Sequence, residues 1–191
     1  MQFISSLSLA LLSLIAITGY AQPETPKGFK KGSIILADGH HLDGFVKDNM
    51  RNDASIAFTA GAGSSKKSYS GNDLGSVEIE GTRFTCIRGD FFKILCEGAL
   101  CFLQKSSDAS GKPSYNGNEA IFSSGTEGRP NDYFIYHDKT GQLTLVTRKN
   151  LGEVAANCFA GHTAAIEKAK SAETDLSQVK AAVEMYNAES R

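Results

Sequence analysis

The period of the apolar residues changes once along this chain, at Asn150, and that switch limits the fold more than any other feature. Before it, apolar and polar residues alternate in short runs separated by turn residues. Ile56 and Phe58, then Val77 and Ile79, stand two apart, the spacing of one strand face. After it, Leu151, Val154, Ala155, Cys158 and Phe159 follow at i, i+3, i+4, i+7 and i+8, one face of a helix. Glu153, three residues after Asn150, makes a start like a capping box, and Gly161 is a natural stop. Residues 163–171 read as weakly helical. Asp175 caps a final helix whose stripe is Leu176, Val179, Val183 and Tyr186. The expected fold is α+β: an antiparallel β body over residues 32–148, then a C-terminal helical segment over 149–191 packed on it. There are no internal repeats.

The β body opens on residues 32–47, which read as a hairpin turning at Asp38-Gly39. Both residues tolerate positive φ, so a two-residue type I′ turn is expected. That turn sets Ile35 opposite Leu42, Leu36 opposite His41 and Ile34 opposite Asp43. Neither face is then purely polar, so partial cover on both sides follows. Gly44, inside the returning strand, points to a bulge or sharp bend. The expected body is therefore a small bent, barrel-like sheet continued by a meander.

Further strands are expected at residues 55–59, 66–70 and 76–80, with 48–54 a charged connection and 61–65 a flexible tip. That tip has glycines but no Gly-Lys-Ser/Thr and no helix behind it, so it does not read as a phosphate loop. Residues 82–105 are the most apolar part of the chain after the N-terminal segment. They read as three strands, 82–87, 91–96 and 99–104, and a two-residue turn at Glu97-Gly98 pairs Ile94 with Cys101 and Phe92 with Leu103. Residues 106–118 read as a polar loop and 119–123 as a short strand. A last hairpin runs over 132–137 and 142–147.

Ahead of all this, residues 1–21 carry an apolar centre, Leu7 to Thr18, followed by Gly19-Tyr20-Ala21. Small residues at −3 and −1 suit signal-peptidase cleavage after Ala21, and the apolar centre is too short and too rich in serine to span a bilayer comfortably. The expectation is an exported protein, periplasmic or secreted, with residues 22–31 a polar linker and no membrane span after cleavage. No cysteine follows the cleavage site, so no lipid anchor is expected. The formal net charge is −1, which argues against a nucleic-acid or other polyanion surface.

Two resemblances enter here. Ile34, Leu36, Asp38-Gly39, Leu42, Gly44 and Val46 form a pattern that looks like the opening of Sm-like or SH3-like small barrels. Sm proteins bind RNA inside cells, a role that an exported chain would not share. More broadly, Gly32 to Val46, Tyr69 with Asp73-Leu74, Phe91-Phe92-Lys93 with Leu95 to Gly98, Tyr133-Phe134 and Tyr186-Asn187 resemble the uncharacterised secreted β-rich proteins of Bacteroidetes-type bacteria. That resemblance implies a β-rich exported protein with no catalytic motif to transfer.

Candidate chemistry is sparse, and no motif requires a cofactor. Four cysteines, Cys86, Cys96, Cys101 and Cys158, either form disulfides, as an even count in an exported chain invites, or fill a core as small hydrophobes. Cys158 and His162 stand four apart as a nucleophile–base pair, but Gly161 breaks their shared face. His40, His41 and Asp43, beside Asp38, are metal-compatible groups on one turn, or simply polar side chains flanking it. Arg88-Gly89-Asp90 matches the adhesion tripeptide and is equally ordinary turn chemistry. Glu78, Glu80, Asp90 and Glu97 are carboxylates with no spacing that places two of them across a cleft. Three functions stay open. The first is a non-catalytic envelope or secreted protein that binds a partner protein or small ligand through its β surface or its junction with the helices. The others are a small extracytoplasmic hydrolase and a metal-binding protein.

Overall fold

In the computed structural model, which describes residues 25–116, 119–122 and 124–190, one antiparallel sheet is followed by C-terminal helices. The expected signal segment lies outside the described residues. The sheet has ten strands in the order β12-β11-β8-β7-β6-β5-β1-β2-β3-β4. Strands β1 (Lys30–Leu36), β2 (His41–Asn49), β3 (Ser55–Thr59) and β4 (Lys67–Ser70) wind outward from β1 in one direction. The chain then returns to the free side of β1 and winds the other way through β5 (Leu74–Ile79), β6 (Thr82–Ile87), β7 (Asp90–Cys96) and β8 (Leu100–Lys105). A small separate hairpin follows, of β9 (Pro113–Asn116) and β10 (Glu119–Phe122), before β11 (Tyr133–His137) and β12 (Gln142–Val146) rejoin the sheet at β8.

The α+β arrangement is as expected, but the sheet is not closed. An isolated bridge from Gly71 to Gly89 brings the end of β4 against the β6–β7 turn, and no ladder joins these strands. The first half of the sheet curls because two glycines face each other where it bends. Gly32 pairs with Gly44. A Cβ on Gly32 would lie 2.1 Å from the Glu78 carbonyl oxygen, and one on Gly44 would lie 2.5 Å from that of Thr59. Only glycine lets neighbouring backbone come so near. The curl encloses Ile34, Val46, Met50, Ile56, Phe58, Tyr69, Val77, Ile79, Phe84 and Phe91.

The first hairpin is one residue out of the expected register. Ile34 pairs with Leu42 and Ile35 with His41. The Leu36 N–H donates to the His40 carbonyl and the Gly39 N–H to that of Leu36, with Gly39 at φ +89°. Ala37 thus joins Asp38 and Gly39 in a three-residue loop with glycine in the left-handed position. A one-residue slip moves one strand's side chains to the other face. Ile34, Leu42 and Val46 now share the inner face, and Ser33, Ile35, His41 and Asp43 share an outer one on which Ile35 is 39 % exposed.

Other expectations shift at their edges. The linker ends earlier than residue 31, since Lys30 and Lys31 already belong to β1 and Phe29 is buried. The connection over 48–54 contains a helical turn, α1 (Met50–Asp53), which buries Met50. The polar loop after β8 contains β9. In the meander Ile94 pairs with Leu103 and Phe92 with Lys105, and a bulge at Leu95 then sets Cys96 opposite Phe102.

The second half of the sheet is covered on both faces. One face packs against α2 (Leu151–Cys158), α3 (Thr163–Lys170) and α4 (Val179–Glu189). Leu100, Phe102, Ile135 and Val146 meet the helical residues Leu151, Val154, Ala155, Phe159, Val179 and Val183 there. Across the other face lie Phe92, Leu103 and Phe134, with Phe92 and Phe134 edge to face at 5.2 Å. No helix among the described residues is long and apolar enough to cross a membrane.

Candidate functional site

A cleft of about 370 Å³ opens where the helical layer meets the end of the sheet. Two rungs of the sheet supply its base: Leu100 pairs with His137, which pairs with Gln142, and Ile135 pairs with Thr144. The opposing wall is α2, whose i, i+4 pairs Glu153 with Asn157 and Val154 with Cys158 face the cleft, and Tyr186 of α4 joins them. Leu100, Ile135 and Val154 are buried and give an apolar floor, while Gln142, Glu153 and Asn157 are exposed along the rim.

Asn150 fixes how α2 leaves the sheet. Its side chain does not cap the helix. Its Oδ1 accepts from the Thr147 N–H at 2.7 Å and the Thr147 hydroxyl at 2.9 Å, and its Nδ2 donates to the Leu145 carbonyl at 2.8 Å. The expected capping box is thus replaced by a clamp between β12 and α2 that engages both ends of the Asn150 side-chain amide. On the far side, His162 Nδ1 lies 2.7 Å from Glu189 Oε2 and the ring meets the edge of Tyr186.

One polar atom of a residue that lines the cleft has no partner among the described residues. His137 Nδ1 is buried and makes no hydrogen bond among the described residues. Buried nitrogens are seldom left this way, because the lost hydration is not replaced. Cys158 also lines the cleft, and burial pushes its thiol above the ordinary range, the opposite of what a reactive thiolate needs.

The residues singled out in the sequence lie elsewhere. His40 Nδ1 is 3.0 Å from Asp38 Oδ1, and that carboxyl is held below its usual range by the backbone N–H and ring of His40. His41 Nε2 is 3.7 Å from Asp43 Oδ1 on the outer face of the first hairpin. Among the described residues no three His, Cys, Asp or Glu side chains are grouped to hold a metal ion. His41 instead borders a depression of about 390 Å³ on the sheet's outer face, with Glu78 and the ion-paired Arg83 and Glu97.

All four cysteines are free. Cys96 packs on the helical face and Cys101 on the opposite one, so these two do not oppose each other. Cys86 sits in the curled core, apart from the cluster that holds Cys158, and burial pushes its thiol up to about 12.

Asp90 of the adhesion-like tripeptide is fully buried, which removes it as an exposed recognition group. Its Oδ2 lies 3.1 Å from Lys105 Nζ and accepts from the Thr126 N–H and hydroxyl, and its Oδ1 accepts from the Ser107 hydroxyl and Ala109 N–H. Lys105 Nζ donates in turn to the carbonyls of Thr126, Glu127 and Gly128. This satisfied network holds the 124–128 segment against the sheet, where Gly128 comes close to Phe134 and Leu145. Its role is architectural.

Set against known protein families, characterised proteins and solved structures, the chain matches none. The cleft therefore rests on its geometry alone. His137 and Thr144 come from the last hairpin, and Glu153 and Asn157 from the next helix. The only sequence signal for His137 and Thr144 is position on the inward face, which depends on strand register, and Glu153 and Asn157 stand beside the apolar stripe of α2.

Proposed function

We propose that this is an exported, non-catalytic binding protein whose site is the cleft between α2 and the β8–β11–β12 end of the sheet. The observation that carries this reading is a cleft with an apolar floor and a polar rim, one of whose lining residues, His137, keeps a buried Nδ1 without a partner among the described residues. Small-molecule sites combine these features: shape and apolar contact for affinity, and a few polar groups for orientation. The raised Cys158 thiol supports binding over covalent catalysis. Export rests on the signal-like residues 1–21, and the resemblance to secreted Bacteroidetes-type proteins agrees with it.

Native mass spectrometry of protein recovered from an envelope or culture fraction tests the site. A co-purifying small molecule that is lost when Thr144→Trp fills the cleft is the expected result, and identical spectra for both proteins would count against it. N-terminal sequencing of the same material tests export, with Gln22 the expected first residue.

A second reading, a small hydrolase, is favoured by one observation: His137, Glu153 and Cys158 line the same cleft. Ester hydrolysis that disappears in both Cys158→Ala and His137→Ala would install it in place of the binding role.

A further inference from the structure

We infer that the ligand of this cleft carries a positively charged amine on a short apolar body. The inference rests on the reading of the cleft as a ligand site and adds the chemical class of what enters it. Among the described residues neither Lys nor Arg lines the cleft, and Glu153 is its one acidic residue. An anionic guest would meet a carboxylate with no cation to offset it. A cationic guest gains that same charge as a partner.

The hydrogen-bonding inventory points the same way. An ammonium group only donates, so it needs acceptors. A neutral imidazole protonated at Nε2 leaves Nδ1 as its acceptor, and Nδ1 is the ring atom of the cleft-lining His137 that lacks a partner among the described residues. The Glu153 carboxylate and the side-chain carbonyls of Gln142 and Asn157 supply further acceptors at the rim. Asn150 competes little for the guest, since both ends of its amide are engaged with Thr147 and Leu145. The apolar floor of Leu100, Ile135 and Val154 suits a hydrocarbon body below the charged head. The Tyr186 ring adds an aromatic wall, a surface that favours cations. A bare metal ion fits less well, because no three ligating side chains converge among the described residues.

Three probes of matched size separate the contributions: benzylamine, benzyl alcohol and benzoate, each titrated into the mature chain and followed by NMR shifts of Ile135 and Thr144. Benzylamine is expected to bind roughly fivefold more tightly than benzyl alcohol, the worth of one charge pair at about 4 Å in water-like surroundings. Benzoate is expected to bind more weakly than either. Glu153→Gln, a change at an exposed position, should bring benzylamine to the level of benzyl alcohol and leave benzyl alcohol unchanged. Equal binding of amine and alcohol, or tighter binding of benzoate, would overturn the amine preference while leaving the cleft as a ligand site. Absence of any shift at Ile135 and Thr144 with all three probes would overturn both.

Discussion

The two halves of the sheet bury their apolar residues in different ways. The first half, from β4 through β1 to β6, curls until its own inner face forms a core. The second half, from β7 to β12, borrows its cover from elsewhere. Helices lie on one face, and the 124–128 segment, tied down by Lys105, lies against the other. Curling needs close backbone approach and so depends on glycine. Borrowed cover needs attachment points and so depends on buried polar side chains. The cleft lies in the second half, where the helical layer and the end of the sheet leave a gap lined by side chains such as His137.

The comparison can be broken first at the buried ion pair. Asp90→Ala leaves the Lys105 ammonium buried with carbonyl partners only, and the expected loss is about 3–5 kcal/mol, read by urea unfolding. An Asp90→Leu, Lys105→Met double variant should recover much of it, because both charges then go together. If the single variant costs less than about 1 kcal/mol, the network is not what holds the loop.

Gly32→Ala attacks the curl. Its new methyl would lie 2.1 Å from the Glu78 carbonyl oxygen, a backbone atom that cannot swing aside. An expected loss of about 3 kcal/mol sits at the upper end of the overpacking range. The change should raise hydrogen exchange in β1, β2 and β5 before it affects β11 and β12.

Asn187→Ala tests the helical attachment. Asn187 Oδ1 accepts from the Leu100 N–H at 3.0 Å, and its Nδ2 donates to the Leu100 carbonyl at 2.8 Å. It docks α4 on the β7–β8 turn, and Gly98 leaves it room. Removing it should cost about 2 kcal/mol and loosen α4 while the curled core keeps its protection. Uniform loosening across both halves would show that they unfold as one unit.

The smallest effect concerns Asp175. Hydrogen bonds from the Ser177 hydroxyl and backbone N–H hold its carboxyl below the ordinary value. A lowered folded-state pKa gives stability that is present above the unfolded-state value and is lost as pH falls through the folded-state one. Asp175→Ala should therefore flatten a small acid-side fall in helicity, measured by circular dichroism below pH 4. An unchanged acid profile would remove this cap from the account.

Much of the fold was legible because it is written in local pattern. The period switch at Asn150, the strand over 55–59, the meander, the stop at Gly161 and the cap at Asp175 follow from spacing and turn chemistry. Register was less so. Whether Ala37 belongs to a strand or to a loop decides which side chains of β1 face the core, and both versions suit the Asp38-Gly39 turn. The bulge at Leu95 likewise set Cys96 and Cys101 on opposite faces, where an unbroken two-residue turn at Glu97-Gly98 would place both on one. Asp90 and Lys105 lie fifteen positions apart, and nothing in either neighbourhood marks them as a buried pair.

By itself, then, the sequence determined the class and the type and order of the main elements, since these rest on contacts between near neighbours, while the short α1 and β9 escaped it. Tertiary structure alone decided that the sheet curls without closing, that the adhesion-like aspartate is interior, and that a cleft forms around His137. Those outcomes depend on which distant strands pair and in what register, and one residue of slip changes the face of every side chain involved.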